Sequence, residues 1–178
     1  MSLSIDRIVA SFRSDFARPN RFQVFFPLPN FPPSLEVDIY GSSEAILTFR
    51  CENAQIPGRT LATTEQRTYG PIEKFPYLTT YNDLDVTLIV DSDMKQKKLF
   101  DAWMQLINPS FTNNFTYRET YCTDITVKQY DVTDKVTYEV KFIDSYPISI
   151  NQMDLDWSSD GYHKLNATFA YTRWETIV

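Results

Sequence analysis

The segment Thr123–Asp144 constrains the fold more than any other part of the chain. Apolar and polar residues alternate along each of its two halves, and the apolar positions are Ile125, Val127, Val136, Tyr138, Val140 and Phe142. Successive side chains of a β-strand point to opposite faces, so each half predicts a strand with one apolar and one polar face. The short polar connection Asp131–Asp134 joins the halves and predicts a long antiparallel hairpin.

The remainder of the chain predicts further strands and one helix. The predicted strands are Arg21–Phe26, a short edge strand at Leu35–Tyr40, Ile46–Glu52, Glu65–Tyr69, Ile72–Phe75, Leu84–Val90, Ile148–Trp157 and Leu165–Trp174. Between Asp93 and Asn108, apolar residues recur at steps of three and four, which is typical of a helix with one apolar stripe. Asp91–Asp93 offers oxygens for its N-cap, and Pro109 ends it. Mostly strands with one helix predict a mainly β fold, an antiparallel sandwich or barrel whose open side the helix covers.

The length of 178 residues fits one domain that spans residues 1–178. Within it we expect an N-terminal arm at residues 1–20, because Pro19 prevents a helix from continuing into the first strand. A proline-rich insertion is expected at residues 27–45, where four prolines rule out a regular ladder of hydrogen bonds. Hydrophobic residues make up 43% of the chain, a proportion that supports a packed core.

The charge of the chain argues against several classes of protein. The net charge is -6 and the sequence pI is near 4.8, whereas a protein that grips nucleic-acid phosphates needs a basic surface. No apolar run approaches the length of a membrane span, so no membrane partner is expected. Met1–Arg7 lacks a basic region followed by an apolar one, and we therefore expect no secretory signal.

The residue types that carry most enzyme chemistry are scarce. His163 is the single histidine, and the chain has neither a Gly-x-Ser-x-Gly elbow nor a glycine-rich phosphate loop. Cys51 and Cys122 are too few for a zinc site or a disulfide framework and are interpreted as buried thiols. The chain is therefore expected to have no catalytic residues, no cofactor and no metal.

One stretch resembles the start of an EF-hand calcium loop. Asp156, Ser158 and Asp160 stand at ligand spacing, and Gly161 stands at the turn position. The bidentate glutamate of such a loop would fall at Ala167, which cannot coordinate a cation. A turn between two strands is the better interpretation.

Two other functions stay open on the residues alone. Carboxylates occur on many predicted strands, so a pair placed for glycoside hydrolysis would make the chain an enzyme. Aromatic residues make up 15% of the chain, and an exposed aromatic platform would make it a carbohydrate- or protein-binding β-sandwich. A turnover lost on one acidic substitution would support the enzyme, and a monomer with glycan affinity would support the binding module.

Several stretches together resemble one family. They are Ser14–Val24, which contains Asp-Phe-Ala-Arg-Pro-Asn, then Phe49–Gly58 with its Pro-Gly turn, Tyr81–Thr87 before the helix, and Leu155–Asp160 before the last strand. In this order they resemble the tail tube proteins of T-even-like contractile-tailed bacteriophages, and the resemblance covers nearly the whole chain. The proline-rich segment Pro27–Ser43 departs from it and looks like an insertion after the first strand.

The resemblance implies a structural virion protein of the phage tail, assembled in the bacterial host cytoplasm. Such subunits form homo-hexameric rings, and the rings stack into a hollow tube inside the tail sheath protein. Genome and tape-measure protein pass through the lumen during ejection without specific binding, and a baseplate tube-initiator stands at one end. The alternatives within this resemblance are the initiator itself and the tube of a tailocin or a type VI-like system.

The resemblance also directs expectations for particular residues. Contacts within and between rings are expected at Asp15, Phe16, Arg18, Asn20, Arg59, Thr60 and Gln66. The polar face of the central hairpin is expected to line the lumen through Asp124, Thr126, Lys128, Thr137, Glu139 and Lys141. Its apolar face would then pack under Leu99, Trp103 and Ile107 of the helix. The alternative is that the polar face points outward to sheath or solvent.

Overall fold

A computed structural model describes residues 16–32, 47–48, 50–67, 69–158 and 160–177 of the chain. The described elements are β1 (Phe22–Phe25), β2 (Cys51–Ala54), β3 (Thr60–Gln66), β4 (Glu73–Thr80), β5 (Leu84–Ile89), helix α1 (Lys95–Ile107), the short helix α2 (Arg118–Tyr121), β6 (Thr123–Tyr130), β7 (Val136–Ile150), β8 (Lys164–Ala170) and β9 (Arg173–Thr176).

The central hairpin is confirmed as the pair β6–β7. Its strands are antiparallel, and Val127 lies opposite Val140. The apolar row points into the core, where Ile125 and Phe142 are completely buried. At the tip, the Arg21 guanidinium lies 3.0 Å from a carboxylate oxygen of Asp134, so the chain before β1 holds the connection between the two strands.

Strand β7 is longer than predicted and belongs to two parts of the sheet. Its first part pairs with β6 and β9, and its last part, from Tyr146, pairs with β8. Between the two parts Asp144 has a φ of 55°, a left-handed conformation that turns the strand. The predicted break before Ile148 was therefore wrong, and so was the strand reaching Trp157, because the described residues 151–158 form no strand.

The described strands form a seven-stranded antiparallel sheet and a separate two-stranded hairpin. The order in the large sheet is β1-β6-β7-β8-β5-β2, with β9 also paired to β7, and β3 pairs with β4. The bend in β7 divides the large sheet into a β1-β6-β7-β9 half and a β7-β8-β5-β2 half. A mainly antiparallel β fold with one main helix is thus confirmed.

Helix α1 covers the apolar interior of the sheet as predicted. Leu99, Phe100, Trp103 and Ile107 of the helix share one core with the apolar residues of β5, β6, β7 and β8. The Trp103 ring packs edge-on against Phe169 of β8 with 6.0 Å between centroids. Its indole N–H donates a hydrogen bond to the Tyr121 carbonyl at 2.9 Å, so the polar atom that this ring brings into the core has a partner.

The start of α1 differs from the prediction. Met94 is the N-cap with a φ of 56°, and no side chain caps the helix there. Asp91 instead bonds to Gln96, a buried residue, whose side-chain amide donates to the Asp91 carboxylate at 2.9 Å and accepts from the Asp91 N–H at 3.0 Å. Asp91 therefore orders the first turn through the Gln96 side chain, while no side chain caps the backbone N–H groups of the helix.

Two further strand predictions need correction. Leu47, Thr48 and Arg50 are helical, so the strand predicted at Ile46–Glu52 is confined to its C-terminal end and begins at Cys51. Leu47 and Thr48 are adjacent and both buried, a pattern that a half-buried strand cannot produce. The two short strands predicted at Glu65–Tyr69 and Ile72–Phe75 are longer and placed differently. Strand β3 spans the seven residues Thr60–Gln66, and β4 spans the eight residues Glu73–Thr80.

Most of the predicted arm and of the predicted insertion lies outside the described residues. The same applies to the edge strand at Leu35–Tyr40 and to Asp15. The division of residues 1–178 into an arm, an insertion and one domain stays a prediction.

Candidate assembly and lumen surfaces

The polar row of β6–β7 belongs to a wider outward face of the sheet. Directly opposed residues of antiparallel strands share a face, and Lys128 lies opposite both Gln23 of β1 and Glu139 of β7. One step along, Lys141 lies opposite Thr126 of β6 and Glu175 of β9. All six residues predicted to line the lumen lie within this part of the sheet, and none of them is buried. Their role stays a prediction.

The charged side chains of this outward face are paired with one another. Lys128 lies 3.2 Å from Glu139, and Lys141 lies 2.8 Å from Asp124. On β9, Arg173 lies 3.0 Å from Glu175. The Lys128 ammonium also lies 5.1 Å from the centre of the Phe25 ring, a second favourable contact for the same cation. The face is therefore mainly polar, with the half-buried Phe25 opposite Thr126 as an apolar member, and its cations have carboxylate partners.

The pair of Asp124 and Lys141 holds both groups in their charged forms. Partial burial acts to raise the pKa of Asp124, but hydrogen bonds from Lys141 and from the N–H of Asp144 outweigh it, and the pKa is lowered. The hydrogen bond to Asp124, together with the charges of Asp124 and Glu175, raises the pKa of Lys141. Both groups are thus ionised throughout the neutral range.

A polar cluster holds the bend of β7. The Asp144 N–H donates to Asp124 at 3.0 Å, and the Asp144 carboxylate accepts from the Thr172 hydroxyl at 3.3 Å. The Arg118 guanidinium bonds to Thr172 and lies 3.9 Å from Asp144. Burial raises the pKa of the neighbouring Cys122 thiol, so the thiol stays protonated at neutral pH. These contacts serve the bend and bring no nucleophile into an accessible site.

The hairpin β3–β4 is the second surface, and it stands away from the core. All eight residues of β4 are exposed, as are all residues of β3 except Ala62. A two-stranded hairpin without further packing is only marginally stable in water. Phe75 lies opposite Thr64 and Leu78 lies opposite Ala62, and Thr64 and Ala62 are two positions apart on β3, so Phe75 and Leu78 share a face. Between them the register shifts, and Tyr77 is the extra residue of β4 at this point. Phe75 and Leu78, here called the hairpin apolar face, are exposed to 45% and 51%, and the adjacent Tyr77 is exposed to 68%.

The residues predicted to make ring and stacking contacts are placed as follows. Thr60 and Gln66 are the two ends of β3, and Arg59 directly precedes it; all three are exposed. In the segment before β1, Phe16, Arg18 and Asn20 are exposed. The Arg18 carbonyl accepts hydrogen bonds from the Gln129 side chain at 2.6 Å and from the Arg21 N–H at 3.3 Å, so the end of this segment is attached to the central hairpin.

Metal-ligating side chains are not clustered in the part of the chain that the structure describes. No group of three or more histidine, cysteine or acidic residues is placed there to hold a metal ion. The Asp156 carboxylate accepts from the N–H and the hydroxyl of Ser158 at 3.0 and 2.8 Å, which makes the calcium-like stretch a local turn. Within the same ranges, no helix is long and apolar enough to cross a membrane.

A comparison with protein families decides the assignment. The family model described as phage tail tube protein matches residues 17–177, nearly the whole chain. The chain belongs to the phage tail tube protein family. It is thus a structural component of a tail tube.

Individual relatives agree with the family assignment. The chain is 27% identical to tail tube protein gp19 of Enterobacteria phage T6 and of Enterobacteria phage T4, and each match covers 96% of this chain and 99% of the relative. Among solved structures, it is similar to a chain of the sheath–tube complex of the PVC extracellular contractile injection system. That match has a TM-score of 0.60 and 17% identity, and it covers 98% of both chains. At this identity the structural likeness shows the fold.

Sequence reasoning missed the side chains of the tail tube subunit that are most suited to subunit contact. The predicted contacts in this region were polar residues at the ends of β3, whereas the exposed apolar side chains of β4 are Phe75, Tyr77 and Leu78. The signal was present, because these three large apolar residues stand close together in a segment that is otherwise mostly polar. Trp157, which is fully exposed in the loop between β7 and β8, was also missed as a surface residue.

Proposed function

We propose that this tail tube subunit forms homo-hexameric rings that stack into a hollow tube, with the genome and the tape-measure protein passing through the lumen during ejection. The tail sheath protein surrounds the tube, and a baseplate initiator starts it at one end. The subunit assembles in the bacterial host cytoplasm, becomes part of the virion and involves no membrane. Its role is structural and not enzymatic, and it requires no cofactor or metal.

The hairpin β3–β4 carries this proposal. In one protomer the hairpin lies in solvent, with an aromatic and an aliphatic side chain beside each other on its apolar face. Exposed apolar surface of this kind marks a site of protein–protein contact. A neighbouring copy of the same chain is the partner that a tube supplies to every subunit. Ring and stacking contacts are accordingly proposed at this face, at Arg59, Thr60 and Gln66 beside it, and at Asp15, Phe16, Arg18 and Asn20.

The open strands of the sheet support the same arrangement. Among the described strands of the large sheet, β1, β2 and β9 each pair with only one neighbour. An unpaired strand edge exposes backbone N–H and C=O groups and favours uncontrolled association unless it is covered. Neighbours in a closed ring cover such edges in a defined way. The segment of Phe16, Arg18 and Asn20 leads directly into β1 and is therefore placed beside one of these edges.

The outward face of β1, β6, β7 and β9 is the proposed lumen lining. A tube that conducts a polymer needs a wet wall without apolar patches, and this face carries paired charges and hydroxyls over several strands. Its opposite side packs under α1, which fixes the sheet between the helix and the outward face. The lumen-lining residues are accordingly Asp124, Thr126, Lys128, Thr137, Glu139 and Lys141.

Removal of the hairpin tests the proposal. Thr60 lies opposite Thr80, so the ends of the hairpin are adjacent and a linker of a few Gly and Ser residues can replace the segment between them. We expect the clipped protein to keep the far-ultraviolet circular dichroism and the urea midpoint of the core. We also expect it to stay monomeric in electron micrographs in which the full chain shows tubes.

The matched control replaces an exposed loop that carries apolar side chains but lies outside the proposed contacts. Residues 154–158 contain Leu155 and Trp157, both exposed, and Gly-Ser substitution there is expected to leave tube formation intact. Clipped protein that still forms tubes at the normal concentration would contradict the proposal. Full chain that stops at single rings would make it an initiator.

A further inference from the structure

The charges on the proposed lumen lining compensate one another pair by pair. On the outward face of β6, β9 and the part of β7 before the bend at Asp144, the charged residues are three cations and three carboxylates: Lys128, Lys141, Arg173, Asp124, Glu139 and Glu175. The net charge of -6 therefore comes from other parts of the chain. A neutral face within an acidic protein indicates that local pairing, and not general acidity, controls this surface.

The pairing has a defined geometry for each lysine. Lys128 lies opposite Glu139 in the ladder and 3.2 Å from it, and the two side chains are exposed to only 26% and 15%. Lys141 lies between two carboxylates, with Asp124 at 2.8 Å on β6 and Glu175 opposite on β9. Partly buried pairs are less screened by salt than exposed ones, so the Lys128–Glu139 contact is the less screened of the two. The Lys141 and Asp124 side chains are each exposed to 39%, and Lys141 is held there by the second carboxylate as well.

We propose that these carboxylates act as fixed counterions that keep the lysines of the lumen wall from binding the phosphates of passing DNA. This inference rests on the proposed function, since it takes the face to line the bore. A polymer with one phosphate every few ångströms binds to free lysines by releasing its own counterions, and the binding strengthens with each additional contact. A lysine that is already paired with a carboxylate gains little from a phosphate contact, because the carboxylate has to be displaced first. The wall can thus contain lysines for its strand pairing and still let duplex DNA slide.

The test removes the nearest carboxylate of each lysine without adding positive residues; Lys128 is then unpaired, and Lys141 keeps only the more distant Glu175. In the double variant Glu139→Gln and Asp124→Asn, both lysines lose their nearest carboxylate while the side chains keep their size. Tubes of each protein are mixed with a short fluorescent duplex DNA at about 50 mM salt, and the bound fraction is measured by sedimentation. Wild-type tubes are expected to retain no duplex. Variant tubes are expected to retain it, with at least a tenfold loss of affinity between about 50 and 200 mM salt if two phosphates are contacted per site.

Two controls separate pairing from net charge. The charge swap Lys128→Glu with Glu139→Lys keeps the pair and is expected to retain no DNA. The pair Glu119→Gln and Asp160→Asn makes the same change in net charge at exposed positions outside the sheet, and it is also expected to retain none. A duplex tethered to beads too large for the bore tests the location, because lumen binding requires free entry.

Every outcome of the DNA-retention experiment either supports or overturns the inference. Retention of free but not tethered duplex by the double variant alone supports the inference. Variant tubes that retain no DNA, off-sheet variants that retain as much, or equal binding of the tethered duplex would overturn it. If the double variant does not assemble, the single variants Glu139→Gln and Asp124→Asn are measured, and each is expected to show about half the salt dependence. Wild-type protein that forms no hollow tube would instead contradict the proposed function itself.

Discussion

Substitution of Tyr77 should weaken assembly of the tube without weakening the fold. The side chain is 68% exposed in the protomer and lies at the register shift of β4, between Phe75 and Leu78 of the hairpin apolar face. An aromatic side chain buries about 200 Å² when fully covered, so about 140 Å² of this ring remains available for a neighbour. At about 25 cal/mol per Å², covering it contributes at most about 3.5 kcal/mol. Ordering and desolvation at an interface reduce this figure to about 1.5–3 kcal/mol.

The measurable consequence is a higher protein concentration at which tubes form. Because about 1.4 kcal/mol corresponds to a factor of ten, Tyr77→Ser should raise this concentration by about 10- to 100-fold. The assembled fraction is measured by sedimentation over a dilution series. The free energy of unfolding of the unassembled protein in urea should change by less than about 0.5 kcal/mol, since the residue is on the surface.

A tyrosine outside the hairpin provides the control. Tyr117 is exposed to 87% and precedes the short helix α2, and Tyr117→Ser should leave the assembly concentration unchanged. Equal effects of the two substitutions would refute the assignment of the hairpin as the contact surface. A large loss of folding stability with Tyr77→Ser would refute the description of this ring as exposed in the protomer.

Three further predictions concern the core, the acid response and the thiols. Phe142→Ala should lower the free energy of unfolding in urea by about 3–5 kcal/mol because the ring is completely buried, while Val132→Ala at the exposed hairpin tip should change it by less than about 0.5 kcal/mol; equal losses would contradict the core assignment. Because the pKa of Asp124 is lowered in the folded protein, the unfolded chain binds this proton more readily, and the ionised carboxylate stabilises the fold above the unfolded pKa. This stabilisation is lost as the pH falls through the pKa of the folded state. Asp124→Asn should therefore flatten the fall in urea midpoint between about pH 5 and 2, and an unchanged slope would contradict the pairing. Burial raises the pKa of Cys51 to about 12, so iodoacetamide at pH 8.5 should alkylate it at least about 100-fold more slowly than an unfolded thiol, as followed by mass spectrometry, and labelling at the unfolded rate would refute its burial.

The central hairpin could be predicted from sequence because its information is local. Period-two alternation over Thr123–Asp144 determines both the strands and the face that enters the core, and no distant residue is needed to interpret it. The helix stripe of Leu99, Trp103 and Ile107 was predictable for the same reason, with a period of 3.6. The fold class follows from these two patterns.

The length of β7 could not be predicted, because proline normally argues against a strand interior. Pro147 nevertheless lies inside β7, opposite Phe169 of β8. The register shifts between Pro147 and Ser149, and such an irregularity accommodates a residue that cannot donate to the ladder. The left-handed conformation of Asp144, three residues earlier, leaves no repeating pattern of apolar residues, so the sequence does not indicate the bend.

The surfaces were harder to predict than the core, because their partners lie in other copies of the chain. The apolar residues of β3 and β4 lie in a mostly polar segment, and no pattern within a single protomer indicates what they contact. Lys128 and Glu139 likewise appear in sequence as two isolated charges eleven residues apart, and only the ladder register shows that they are a pair. Surface function therefore depends on register and on assembly, neither of which is a local property.

A cryo-electron microscopy reconstruction of tubes assembled from the purified protein tests the proposed function most directly. It should show six subunits per ring, the β3–β4 hairpin of each subunit packed on a neighbour, and Lys128 and Lys141 facing the bore beside Glu139 and Asp124. A tube with the β6–β7 face on its outer surface, or with the hairpin projecting into solvent, would contradict the assignment of both surfaces.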